Sequence, residues 1–228
     1  MIKVLQNWDE IGEALLTLQK KGLPLYQTPQ KNWDHNIVYE LLSQKDRSIN
    51  ILDLGCGEGY TLKFLNALGF QNLHGIDLQI NLKLRLKQIY RMLRSKNCKK
   101  PFSLINGNFL KTPFKDKYFD YIYSISVIEH GVDIKLFLNE VHRILKPNGL
   151  FFLTTDYWRE KIQTDKSLRL FGLPWTIFSQ DEIELMIDTA RNIGFDLFEN
   201  SKIPPCSKKT VYWNSYEYTF IALLLKKI

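Results

Sequence analysis

The sequence predicts an α/β protein built on a mostly parallel sheet, and three observations carry that prediction. Ile49, Ile51, Leu52 and Leu54 form a short, nearly continuous apolar run, the pattern of a strand buried on both faces. Gly55, Gly57 and Gly59 follow at alternate positions, and Thr61 to Leu68 then carries apolar residues at helical spacing. Further short apolar runs alternate with helical stretches along the rest of the chain. A strand, a glycine turn and a helix open a nucleotide-binding βα unit. Glycines suit the turn because a side chain would block backbone N–H groups from a ligand, and because the turn can require positive φ.

The turn excludes two common nucleotide sites. A dinucleotide fingerprint needs glycine where this chain has Tyr60, and no Gly-Lys-Ser/Thr follows to make a phosphate loop. The spacing is Gly-x-Gly-x-Gly, preceded by Asp53.

Length and composition set the outer bounds. The 228 residues suit one domain, and the apolar fraction is ordinary for a protein with a sizeable core. No apolar signal-peptide core follows Met1, and no run approaches the roughly 18 apolar residues of a membrane span. Cys56, Cys98 and Cys206 are scattered and odd in number, which fits a reduced, cytoplasmic setting and neither a disulfide framework nor a zinc site. The net charge of +7 allows an anionic partner.

From the N-terminus, Asp9 to Gln19 reads as a helix with Ile11, Ala14, Leu15 and Leu18 on one face, stopped by Gly22 and Pro24. Asn36 to Ser43 reads as a second. After the glycine turn, Asn72 to Asp77 is a strand ending in an acid. A carboxylate about 20 residues past such a turn accepts ribose hydroxyls. Gln79 to Ser95 follows as a helix, with Leu82, Leu86, Ile89 and Leu93 as its buried stripe. Lys83, Lys87, Arg91 and Arg94 share a face of it, and no acid lies between Asp77 and Pro101. Phe102 to Gly107 is a third strand and Tyr118 to Ser126 a fourth. The helix Ile134 to Leu145 stops at the Lys146-Pro-Asn-Gly149 turn, and Leu150 to Thr155 is the fifth strand. The capping box Ser179-Gln-Asp-Glu182 starts a helix ended by Gly194. Phe195 to Glu199 is a sixth strand, Ile203 to Trp213 a loop, and Tyr218 to Leu225 a seventh strand.

The phrase Asp53-Leu-Gly-Cys-Gly-Glu-Gly59 resembles motif I of the class I S-adenosylmethionine-dependent methyltransferases. The strand-end Asp77, Asn108-Phe109, the Ser124-to-His130 strand end and Arg143-Ile-Leu-Lys-Pro-Asn-Gly-Leu resemble that family's later motifs in the same order, in its small-molecule, type-11-like branch. The resemblance is strong over about Ile49 to Thr155 and rests on element order elsewhere. It implies a Rossmann-like, seven-stranded sheet with the last strand antiparallel, helices on both faces and an N-terminal helical cover. It also implies a single domain, divided into a cover (1–47), a cofactor-binding core (48–156), an acceptor lid (157–178) and the C-terminal part of the sheet (179–228). Trp8, Tyr26 and Trp33 of the cover are candidates to line the pocket.

By the same resemblance the cofactor is S-adenosyl-L-methionine, held by Asp53, Gly55, Cys56, Gly57, Gly59, Asp77, Leu78, Asn108, Phe109, Ser124 and Ile125. Asn108 stands where many relatives have Asp, and its amide oxygen can still accept from an adenine amino group. Methyl transfer is an in-line displacement, so the protein's main contribution is alignment and exclusion of water. A hydroxyl acceptor also needs a base, for which His130 is the first candidate, with Glu129 and Asp156 behind it. Only Glu129 and Asp133 lie close enough at the fourth strand's end to suggest a metal, so none is expected.

These features point to a methyltransferase acting by O-methylation on a small-molecule or carbohydrate-like acceptor, sugar-containing or anionic. One alternative is an RNA methyltransferase using the basic 83–100 helix; the strand-four end lacks the Asp/Asn-Pro-Pro signature of amino-methylating nucleic-acid enzymes, and Pro205-Cys206 lies after strand six. The other is a non-catalytic cofactor-binding or scaffold protein.

Overall fold

The computed structural model describes the chain except for residues 82, 84–85, 87–89, 91–93, 95–101, 171 and 200–201. The order of elements is β1 (Ile2–Val4), α1 (Trp8–Lys20), α2 (Lys31–Leu42), β2 (Asn50–Leu54), α3 (Tyr60–Ala67), β3 (Asn72–Asp77), β4 (Ser103–Asn106), β5 (Phe119–Ile125), α4 (Ile134–Ile144), β6 (Leu145–Tyr157), the hairpin β7 (Arg169–Leu170) and β8 (Leu173–Pro174), α5 (Gln180–Ile193), β9 (Phe195–Leu197), β10 (Val211–Trp213) and β11 (Tyr216–Lys227).

The main sheet runs β1-β11-β6-β5-β2-β3-β4. Strands β4, β3, β2, β5 and β6 are parallel to their neighbours, and β11 closes the sheet antiparallel to β6. Ile51, Leu52 and Leu54 of β2 are fully buried, as a central parallel strand requires. The chain leaves β2 toward β3 and β4 on one side, then returns to build β5, β6 and β11 on the other. The reversal opens a crevice beyond the carboxyl ends of β2 and β5, where open α/β sheets hold ligands.

Several elements depart from the sequence reading. Ile2–Val4 pairs antiparallel with β11, Ile2 opposite Leu223. Three alternating residues next to a polar stretch give no strand signal by themselves; the partner strand supplies it. Val211–Trp213, read as loop, pairs with β11 through the turn at Asn214 and Ser215, both at positive φ. The second cover helix starts at Lys31 rather than Asn36. Lys146 to Gly149 does not leave the sheet as a separate turn. It runs inside β6, where the register against β5 shifts between Phe119 and Tyr121 and Asn148 takes φ +62°.

The 79–95 segment lies largely outside the described residues, including Leu82, Lys87, Ile89, Arg91 and Leu93. Lys83, Leu86, Tyr90 and Arg94 are helical there, and Leu86 is 66 % exposed, so it is not part of a buried stripe.

Local chemistry fixes the supports of the crevice. The Asn7 side chain caps α1 by accepting from the amides of Asp9 and Glu10, which also place two acids at the positive end of the helix. Trp33 Nε1 donates to Glu10 Oε2 at 3.0 Å and ties α2 to α1. Buried Asn32 clamps the preceding loop: its Oδ1 accepts from the Tyr26 amide at 2.8 Å, and its Nδ2 donates to the carbonyls of Tyr26 and Pro29. Arg143, which opens the family-like phrase in the last turn of α4, binds Glu140, Asp116 and the Phe114 carbonyl, fixing the loop that leads into β5. The Ser179–Glu182 capping box forms as expected.

Candidate active site

A cavity of about 700 Å³ occupies the crevice, within the size range of small-molecule sites. Its floor is the glycine turn. Gly55 takes φ +80°, and a Cβ there would lie 2.4 Å from Val127 Cγ2, so only glycine lets β2 and the segment after β5 approach this closely. Gly57 also has positive φ, and a Cβ there would project into open space, so bare backbone faces the cavity.

Asp77, at the end of β3, joins the turn from the side. Its Oδ2 accepts from the Gly57 amide at 2.8 Å and its Oδ1 from the Gln79 amide at 3.1 Å. An ionised carboxylate offers about four acceptor sites. The remaining ones face a cavity that Asp77 lines. That is the chemistry needed for the two hydroxyls of a ribose. Leu78, Ile80, Leu104 and Phe109 add the apolar wall an adenine ring requires. The residues present therefore fit S-adenosylmethionine.

Two groups under this floor are held un-ionised in tendency. Burial pushes Asp53 well above the usual carboxylate range, opposed by the Tyr123 hydroxyl and reinforced by the Asp77 charge. Burial, with the charges of Asp53 and Asp77, pushes the Cys56 thiol upward, which argues against a nucleophilic role.

The other end of the cavity is built by the cover and by the segment after β5. Lys31, the first residue of α2, reaches down to Ser126; its Nζ donates to Ser126 Oγ, stands 3.5 Å from Asp34 Oδ2 and lies 3.8 Å from the centroid of the Phe220 ring. His130 lines this end, its pKa lowered to about 4 by burial and then by the Lys31 charge. His35 is stacked on Phe64, with its Nε2 3.1 Å from Thr61 Oγ1; burial and Lys31 lower it to about 4 as well. Tyr26 packs between His35 and Tyr60, at ring-centroid distances of 5.5 and 5.1 Å, and closes the cover over the turn.

The structure brings together Asp53, Gly55, Cys56, Gly57, Asp77, Leu78, Phe109, Ile125 and His130 from the sequence reading. Five other predicted residues lie outside the lining. Gly59 is the left-handed cap of α3, its α-carbon turned toward Phe102. Asn108 Oδ1 caps its own turn by accepting from the Leu110 amide at 2.8 Å. The Ser124 hydroxyl donates to the Leu54 carbonyl between two strands. Glu129 and Asp156 are buried behind the wall. Glu129 Oε2 accepts from Thr155 Oγ1 at 3.0 Å, and Asp156 Oδ2 accepts from Trp175 Nε1 at 2.8 Å. Burial raises the pKa of both. Of the three cover aromatics only Tyr26 reaches the cavity: Trp8 is 54 % exposed and Trp33 packs between helices.

Lys31, His35 and Thr61 were not legible as site residues. Lys31 lies ninety-five positions before Ser126, and nothing local marks it, whereas Ser126 lies inside the Ser124-to-His130 strand end that the sequence singles out.

Comparison with known proteins agrees with this geometry. A family model described as a methyltransferase domain matches residues 52–153. Sterol 24-C-methyltransferase erg6 of Aspergillus fumigatus is 24 % identical over 188 residues, covering 80 % of this chain and 48 % of that enzyme, so the chain spans about half the length of that relative. The [4+2]-cyclase SpnF superposes with a TM-score of 0.65 at 16 % identity, covering 96 % of this chain and 94 % of that one. Geranyl diphosphate C-methyltransferase from Streptomyces coelicolor A3(2), solved with S-adenosyl-L-homocysteine, gives 0.65 at 14 % identity, covering 90 % and 84 %. The two superpositions speak for the fold alone, since a cyclase shares it. The matched model lies over the glycine turn and the strands that flank it in this sheet order, so residues 52–153 of this chain are similar to a methyltransferase domain.

Proposed function

We propose that this chain transfers a methyl group from S-adenosylmethionine to a small-molecule acceptor, and that the acceptor enters between the cover and the β7–β8 hairpin. The observation that carries the reading is the cavity with two chemically different ends. Bare glycine backbone and Asp77 stand at one, and His130, Ser126 and Lys31 at the other. Asp77 ends β3 and Ser126 follows β5, with β2 between them, so the ends lie about 10 Å apart across the sheet.

The cofactor supplies a methyl already activated on a sulfonium. The chain's own contribution is to hold the adenosyl part against the turn, keep water out with Tyr26 and Leu173, and aim the acceptor. Leu173 comes from the hairpin of the 157–178 segment. Pro174 beside it packs on Gly131, where a Cβ would lie only 2.5 Å from Pro174 Cγ. This supports the reading of that segment as the acceptor wall.

For a hydroxyl acceptor, His130 is the base. Its imidazole is neutral over the physiological range and lines the cavity, so it can take the proton as the oxygen–methyl bond forms. A second reading, methylation at carbon, is favoured by relatives whose names specify C-methyl transfer. Incubation with 13C-methyl cofactor and fractionated small molecules tests both. The product's methyl carbon shift separates O-methyl from C-methyl, and label confined to RNA or protein would overturn the small-molecule reading.

A further inference from the structure

Among the described residues that line the cavity, Lys31 is the one lysine or arginine. The lining acids Asp53, Glu58 and Asp77 belong to β2, the glycine turn and β3, at the cofactor end. Lys31 stands at the other end, beside His130 and Ser126. Asp34 on its own helix stands 3.5 Å from it, and two further carboxyl groups feel its charge, Glu129 after β5 and Asp156 on β6. All three are buried, and none lines the cavity. A ligand entering this end therefore meets the ammonium and not its counter-ions.

Those counter-ions also compensate it incompletely. The contact to Asp34 is a loose 3.5 Å, and neither Asp34 oxygen has a hydrogen bond of good geometry. Burial favours the uncharged form of all three acids. A methyl donor brings a second cation, its sulfonium, into the same cavity. Two cations facing one small volume favour a ligand that carries negative charge.

We propose that Lys31 determines acceptor specificity by anchoring an anionic group of the acceptor, a carboxylate or a phosphate monoester, at the Ser126 end of the cavity. The inference rests on the methyltransferase reading above and names the acceptor's chemical class. On entry of the anion the ammonium exchanges its bond to Ser126 Oγ for one to the ligand. The long, rotatable side chain, 18 % exposed, permits that exchange without moving α2.

The test uses the full chain saturated with S-adenosyl-L-homocysteine. Calorimetry compares matched probes: benzoate against benzamide, octanoate against octanamide, and phenyl phosphate against phenol. Wild type is expected to bind at least one anion about tenfold tighter than its neutral partner. Lys31→Met is expected to abolish that preference, and Lys31→Arg to keep it. Binding of S-adenosyl-L-homocysteine itself should change less than about twofold in Lys31→Met. Absence of anion preference in wild type overturns the proposal, and this arm needs no variant to fold. Preference surviving in Lys31→Met overturns it too. A parallel loss of S-adenosyl-L-homocysteine affinity would assign Lys31 to the cofactor's own carboxylate instead. Failure of wild type to bind S-adenosyl-L-homocysteine would sink the methyltransferase reading itself, a result distinct from any of these.

Discussion

The amide of Gly57 donates to Asp77 Oδ2 at 2.8 Å, so the two cofactor-binding signals read from the sequence touch each other directly. The bond fixes the carboxylate's orientation and ties the end of β3 to the turn after β2. It also makes the turn and the acid a single unit, so removing the acid should loosen the turn.

Asp77→Ala should weaken S-adenosyl-L-homocysteine binding by roughly 10- to 100-fold, the loss of one or two charge-assisted hydrogen bonds at about 1.5–3 kcal/mol. Titration calorimetry measures it. Unchanged affinity would remove Asp77 from the site.

Gly55→Ala should cost about 1–3 kcal/mol of stability, because φ +80° strains any side chain and the new Cβ would strike Val127. Pairing it with Val127→Ala relieves the clash and leaves the backbone strain. Denaturant unfolding of the single and double variants should therefore show partial recovery; full recovery would mean that sterics alone select glycine here.

His35 bears on the acid side of the stability profile. Its folded pKa, about 4, lies below the ordinary 6.5, so the unfolded chain binds the proton more tightly. Its contribution is fully present above pH 6.5 and is lost as pH falls through about 4. His35→Gln should flatten the decline of the unfolding midpoint between pH 6.5 and 4 relative to wild type. Parallel curves would contradict the assignment.

Glu129 has the opposite sign. Burial and the Asp156 charge raise its folded pKa above the unfolded value near 4.5, so the protonated form stabilises the fold and that stability drains away as pH rises past the ordinary carboxylate range. Glu129→Gln, which can keep the acceptor for Thr155 Oγ1, should be more stable than wild type on the alkaline side. Thermal midpoints from pH 5 to 9 decide it.

His130→Ala should lower kcat on a hydroxyl acceptor by about 10²–10⁴-fold while leaving S-adenosyl-L-homocysteine affinity intact. Because the free imidazole titrates near 4, kcat/KM should show no acid limb until pH approaches that value. Retained activity in the variant would favour an acceptor that needs no base, such as carbon.

The sequence by itself made the glycine-turn end of the cavity legible. Asp53, the glycine turn and Asp77 are legible because each sits at or next to a strand end, and strand ends follow from apolar runs and glycine punctuation within a dozen residues, while Phe109 follows from the family resemblance. The sheet class followed from the same local rhythm. Only the tertiary structure decided the acceptor half. It sank Glu129 and Asp156 behind the wall, because the face a residue presents after a strand depends on the hairpin packed over it, here through Trp175. It brought Lys31 to Ser126 across ninety-five positions and Ile2 to Leu223 across the whole chain. A lysine at a helix start has the same local pattern whether it meets water or a buried carboxylate. What distinguishes the two is the neighbour that folding supplies.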